Sequence, residues 1–157
     1  MQQRMKTHQL DEASCRELLE NAEVACLATV DADGAPYALP VHFVLLGNKI
    51  YVHGLPAGEK VENIRRDPDV CLTAWVMEGL LEDPSGRPCD TNTAYRSVVV
   101  KGRARMVEDI AGKTAALWAV VAKYQPQLTG VRFPPAMLET TGVIEIDMRE
   151  MTGKYWA

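Results

Sequence analysis

The spacing of apolar and polar positions changes period several times along this chain, and each change marks an element. Leu10, Ala13, Leu18, Leu19 and Ala22 recur at helical spacing behind Asp11, whose side chain suits an N-cap. That predicts an amphipathic helix over about residues 10–21. The period then shortens. ACLATV is an apolar run ending in the turn cluster Asp31-Ala32-Asp33-Gly34, and a second run begins near Pro36 and continues through PVHFVLL. Gly47-Asn48 turns it back into Lys49-Ile50-Tyr51-Val52-His53. The expectation is a meander of three antiparallel strands.

The helical period returns in Gly58–Arg66 (GEKVENIRR), closed by Asp67-Pro68. VCLTAWVM (70–77) reads as a strand. Residues 78–92 are rich in Gly, Pro, Asp and Ser and read as a loop. YRSVVVKGRARMV (95–107) is a long strand with Gly102 at a bend or bulge. Asp109 caps a helix to about Lys123. A Pro-bearing segment leads to a last strand, TGVIEIDM (141–148), and a tail, 149–157. About six strands joined mostly by hairpins, with few crossover helices, predict an antiparallel small β-barrel rather than a doubly wound sheet. At 157 residues the chain suits one domain, with its barrel over about 23–148.

Composition narrows the function classes. The net charge of −4 argues against a nucleic-acid-binding surface, which needs a Lys/Arg surplus. No apolar run nears the roughly 20 residues of a membrane span. The N-terminal residues lack the apolar stretch of a secretory signal. Cys15, Cys26, Cys71 and Cys89 show no CxxC spacing. They read as reduced thiols, two of them inside apolar runs, and imply a cytoplasmic protein.

Candidate chemistry concentrates in YVHGLPAGEKVENIRRDP. Lys60 falls in the first turn of a helix, where the helix dipole disfavours a cation. A bound anion would reverse that, with free N–H groups and the ammonium converging on a phosphate. A solvated lysine paired with Glu59 or Glu62 is the plainer alternative. His53 ends an apolar strand, either as a hydrogen-bonded structural residue or as a proton donor beside a ligand. His42 lies on the face opposite Val41 and Phe43. With His53 it makes only two metal ligands, and no third has recognisable spacing, so no metal is expected. No GxSxG, Walker or GxGxxG motif is present. Arg96, inside a strand, calls for an ion-pair partner.

Taken in order, ATVDADGAPYALPVHF, IYVHG, GEKVENIRRDPDVCLTAW, YRSVVVKGRARMV and MTGKYW resemble the pyridoxamine 5'-phosphate oxidase-like flavoproteins over nearly the whole chain. YVHG, YRSVVV and the terminal TGKYW are nearest the nitroimidazole-resistance (Nim-like) branch. The resemblance implies a split barrel of the FMN-binding type, with FMN held at the interface of a homodimer. It assigns Leu39, Pro40, Val41 and His42 to the wall of the flavin ring. Val52 and His53 take a second cofactor-contacting strand end. Lys60 goes to the phosphate, Tyr95 and Ser97 to a strand reaching the flavin, and Trp156 to a cover over the site. His53 is the implied catalytic group, and a nitroaromatic or related small electrophile the implied substrate of an oxidoreductase. A non-catalytic flavin- or haem-binding module and a deazaflavin-dependent reductase are alternatives on the same barrel.

The chain also departs from the oxidase proper. Leu39 stands where the oxidase has an arginine, Glu59-Lys60 where it has an Arg-Lys pair, and the C-terminal substrate-phosphate arginine motif is absent. The resemblance therefore does not extend to pyridoxamine phosphate as substrate.

Overall fold

A computed structural model describes residues 6–157, so the reading of residues 1–5 lies outside it. Asp11 caps the first helix as expected. Its carboxylate accepts from Ser14 N at 2.8 Å, and α1 runs Glu12–Asn21 after a short strand β1, Gln9–Leu10. Cys15, Leu18 and Leu19 form the buried face of α1. β2 is Ala25–Val30, β3 Pro36–Val41, β4 Phe43–Leu46 and β5 Lys49–Gly54. Helix α2, Glu59–Arg66, precedes the long strands β6, Asp69–Leu81, and β7, Asn92–Met106. Asp109 caps α3, Ile110–Tyr124, by accepting from Gly112 N at 2.6 Å. A short helix α4, Pro135–Thr140, leads into β8, Gly142–Trp156.

The sheet order is β3-β2-β6-β7-β8-β5-β4, with β1 paired to β8. This corrects the expected meander. β2–β3 and β4–β5 are hairpins, but β3 and β4 lie at opposite ends of the sheet with only His42 between them. Val41 pairs with Ala25 of β2, whereas Phe43 pairs with Val52 of β5. The chain thus changes sheet edge at one residue and draws the two ends together into a barrel. Eight strands are described where about six were expected. The difference is β1 and the division of the second run at His42.

Two further expectations are corrected. The loop given as 78–92 is shorter, because β6 and β7 stay paired as far as Leu81 and Asn92, past an irregularity between Met77 and Gly79. The tail given as 149–157 is strand: β8 continues from Met148 to Trp156, pairing Glu150 to Lys101 and Trp156 to Tyr95. Gly153 makes this possible by close approach rather than flexibility. A Cβ there would overlap Cys15 Sγ of α1. Gly102 sits at the register shift between β7 and β8, as expected, and a Cβ on it would lie 2.5 Å from Asp147 O.

The core fills the barrel from alternate positions. Leu27, Leu72, Val98, Val100, Ile144 and Ile146 point inward with Phe43, Ile50 and Val52, and α1 covers one end. Burying a side chain of this size contributes roughly 1.5–3 kcal/mol. Arg96 finds Glu78 at 2.7 Å. All four cysteines are free thiols, with Cys15 buried and Cys89 exposed. Among the described residues, no helix is long and apolar enough to cross a membrane.

Candidate functional site

Helix α2 is fixed from below and open at its start. Asn63 Nδ2, buried, donates to Thr29 Oγ1 of β2 at 3.1 Å. Arg66 donates to Val30 O and to Asn63 Oδ1, and Val61 and Ile64 are buried. The other end begins at Gly58, with φ +115°, and carries no side-chain cap. Val61 and Glu62 N–H bond Gly58 O at 2.9 and 3.0 Å, which leaves the N–H groups of Glu59 and Lys60 without an intrahelical acceptor.

Two side chains close on this helix start. Lys60 folds its ammonium back over the end of β5, where a Cβ on Gly54 would meet Nζ at 3.5 Å. It is half-buried, and burial alone pulls its pKa below the ordinary lysine value, so no carboxylate compensates it. The alternative in which Lys60 pairs with Glu59 or Glu62 is not what the structure shows. His53, in β5, is half-buried too. Its Nδ1 is fully buried and without a hydrogen-bond partner. Its pKa is lowered first by burial, then by His42 and by Lys60. His42 belongs to the same cluster because Phe43, next to it, pairs with Val52, next to His53.

Burying polar groups without partners costs free energy that a fold does not ordinarily tolerate. The Lys60 ammonium lies beside His53, and with the free N–H groups of α2 it offers donors that suit an oxyanion. Leu39, Pro40 and Val41 lead into the same cluster along β3. Leu39 and Val41 turn toward the core, while Pro40 and His42 face outward. Val52, at 1% exposure, is a core residue whose side chain faces the barrel interior, so only its backbone borders the site.

The remaining predicted residues lie elsewhere. Ser97 pairs with Lys154 and Tyr95 with Trp156, at the far end of β8. His53 pairs with Val143, eleven residues earlier on the same strand. At roughly 3.3 Å per residue the two places are about 36 Å apart along β8. Within one chain the structure does not bring Tyr95, Ser97 and Trp156 to His53 and Lys60. It groups them instead on the outer face of the sheet, in rows Trp75–Ser97–Lys154 and Met77–Tyr95–Trp156. Lys154 Nζ is 5.7 Å from the Tyr95 ring centre, and His8 packs on Trp156 with ring centres 4.6 Å apart.

Three residues escaped the sequence reading. Trp75 and Met77 are 57% and 58% exposed on the outer face. The alternation of VCLTAWVM had a legible signal for this, since it places Val70, Leu72, Ala74 and Val76 inward and the two large residues outward. Tyr124, which bonds the chain beside His42, had no signal beyond a place on an apolar helix.

An antiparallel barrel whose two sheet ends join through a single residue, with an open helix start beside the junction, defines the split-barrel class of the pyridoxamine 5'-phosphate oxidase-like superfamily. The family model described as pyridoxamine 5'-phosphate oxidase matches residues 11–155, and the chain belongs to that family. No curated protein sequence matches it. Among solved structures, the flavocytochrome Anf3 from Azotobacter vinelandii is 24% identical, covers 100% of this chain and 72% of its own, and has a TM-score of 0.86. An FAD and heme binding protein from Mycobacterium smegmatis is 20% identical over 94% of this chain and 73% of its own, TM-score 0.84. A candidate 5-nitroimidazole antibiotic resistance protein from Bacteroides thetaiotaomicron is 23% identical over 94% and 86%, TM-score 0.79. At these identities the likeness is one of fold.

Proposed function

We propose that this protein binds FMN at the start of α2, works as a homodimer, and reduces nitroaromatic or related small electrophiles. The observation that carries the reading is the unpartnered cluster of Lys60 Nζ, His53 Nδ1 and the free N–H groups of α2. These groups fit a phosphorylated flavin: the ammonium and the N–H groups take the phosphate, and the β3 backbone from Leu39 to His42 borders the ring. The structurally similar proteins named above include binders of FAD and heme, which favours a cofactor of this kind on this barrel.

The dimer reading rests on the sheet. Tyr95, Ser97 and Trp156 are too far from His53 to share a ligand within one chain. A second copy, laid on the outer face with Trp75 and Met77, would bring them to its partner's α2 and cover the exposed apolar surface. When bound, the flavin supplies the electron-transfer chemistry. The protein residues bind, orient and move protons. His53 would hand a proton to a reduced substrate as the imidazolium and be reloaded from solvent; burial first, then His42 and Lys60, pulls its pKa down and so favours that release.

The test is direct. The absorption spectrum of the purified protein, and its change on titration with FMN, should show a flavin bound at one per chain and bleached by reductant. Anaerobic assays should then show nitroimidazole consumption, and light scattering a dimer. A Soret band or a deazaflavin band without flavin uptake would refute the FMN assignment.

A further inference from the structure

His42, between the paired residues Val41 and Phe43, has no strand partner of its own, and one side chain holds the junction. Tyr124, the last residue of α3, accepts from Phe43 N–H at 2.9 Å. Its single hydroxyl proton is shared between Phe43 O and Glu23 O, each at 2.8 Å. These groups belong to the residue that opens β4 and to the one that leads into β2. The Tyr124 ring lies flat on the His42 imidazole, with centres 4.6 Å apart and planes 25° from parallel. The neighbouring Lys123 adds a second contact. Its Nζ stands 4.0 Å above the ring of fully buried Phe43 and donates to Leu19 O at 3.1 Å. Both rings, His42 and Tyr124, border a cavity of about 450 Å³ that also touches Glu20, Glu23 and Lys123.

A barrel closed through one peptide needs no phenol to be stable; apolar packing of Phe43 would hold it. What the hydroxyl adds is direction. It bonds both the N–H and the C=O of Phe43, and so fixes the peptide planes on either side of Phe43, the first of which joins it to His42, while the ring fixes the imidazole. We propose that Tyr124 is a positioning residue for the flavin ring: it sets the backbone at His42–Phe43, where β3 ends, and the orientation of the His42 imidazole. The inference rests on the flavin reading above and adds to it a residue of α3 that does not itself touch the ligand.

Tyr124→Phe keeps the ring and removes the hydroxyl. FMN and riboflavin should both bind it about five- to tenfold more weakly than the parent, by the same factor, because the ring wall and not the phosphate is disturbed. The visible absorption maxima of the bound flavin should move. Lys123→Met, which loosens the same helix end without touching the hydroxyl, should lower the melting temperature yet leave flavin affinity and spectrum as in the parent. In the apo protein, whose described residues include only His8, His42 and His53, the His42 ring proton shift should stay in Tyr124→Phe and move downfield in Tyr124→Leu, where the ring current is lost.

A parent that binds no flavin overturns the functional reading and this inference with it. A parent that binds, with Tyr124→Phe equal to it in affinity and spectrum, overturns the inference alone. So does a loss that Lys123→Met reproduces in proportion to its melting temperature, since the role is then one of stability. Should Tyr124→Phe not fold, 4-fluorophenylalanine placed at 124 fills the hydroxyl's space without donating its hydrogen bond, and an unchanged flavin spectrum there has the same overturning force.

Discussion

Lys60→Met is the sharpest perturbation of the proposed site, because it keeps the apolar stem and removes only the charge. In the free protein the ammonium is half-buried, bonded to nothing among the described residues, and held below its ordinary pKa by burial. Its removal therefore relieves a penalty, and the melting temperature of the apo protein should not fall. In the complex the same ammonium meets a phosphate, a charge-assisted contact of about 1.5–3 kcal/mol, or roughly ten- to a hundredfold in affinity. The loss should stop there, since the N–H groups of Glu59 and Lys60 remain at the helix start. Fluorescence titration with FMN and with riboflavin, at two salt concentrations, separates these terms. FMN affinity should fall by that factor and lose part of its salt dependence, while riboflavin binds both proteins alike. An equal loss for the two ligands, or an apo protein that melts several degrees lower, would mean that Lys60 supports the fold.

Three other outcomes follow from the same geometry. The His53 pKa is depressed by burial and by His42 and Lys60, so the unfolded chain takes up that proton first as pH falls below about 6.5. Apo stability should then drop through this window, His53→Gln should flatten the drop in a pH series of thermal melts, and turnover of the loaded variant should fall at least about tenfold. Glu145, almost fully buried, accepts from Lys49, Tyr51 and Arg105 at 2.8, 2.8 and 2.9 Å. Glu145→Gln should cost about 1–3 kcal/mol in denaturant unfolding, and the Tyr51 phenol, pushed up to about 12 chiefly by burial and then by Glu145, should titrate lower. Trp75→Lys, on the outer face of β6, should yield a monomer in light scattering that no longer retains FMN; a variant that stays dimeric would place the interface elsewhere.

How much of this was legible in the sequence depended on whether a signal was local. Asp11 and Asp109 cap their helices as read, and Gly102 marks its bulge, because capping and crowding act within a few residues. The change of sheet edge at His42 was not legible. Val41, His42 and Phe43 alternate inward, outward, inward without a break, and hairpin signals flank both sides. Only the distant partners Ala25 and Val52 distinguish a meander from a closure. The strand from Arg149 to Trp156 was missed for a related reason. Its outward positions are polar, and Gly153 mimics a flexible tail although it is there to let Cys15 approach. At the site, local rules placed Lys60 in the first turn of a helix and His53 at the end of a strand, as the structure has them. They could not tell that Ser97 and Tyr95 sit at the other end of β8.

The position of β8 bears on how the protein is made. It is the last of the described strands to leave the ribosome, yet in the sheet it lies between β7 and β5 and carries β1 along its far half. Until it emerges, the nascent chain holds two hairpins and a long β6–β7 ribbon with bare edges on β5 and β7, the kind of surface that pairs with neighbouring chains. The closing pairs, such as His53 with Val143 and Gln9 with Lys154, join residues separated by most of the sequence. Folding should therefore be slow for a domain of this length, since its decisive pairs wait for β8. A chain cut short within β8 would be expected to aggregate rather than to form a smaller barrel.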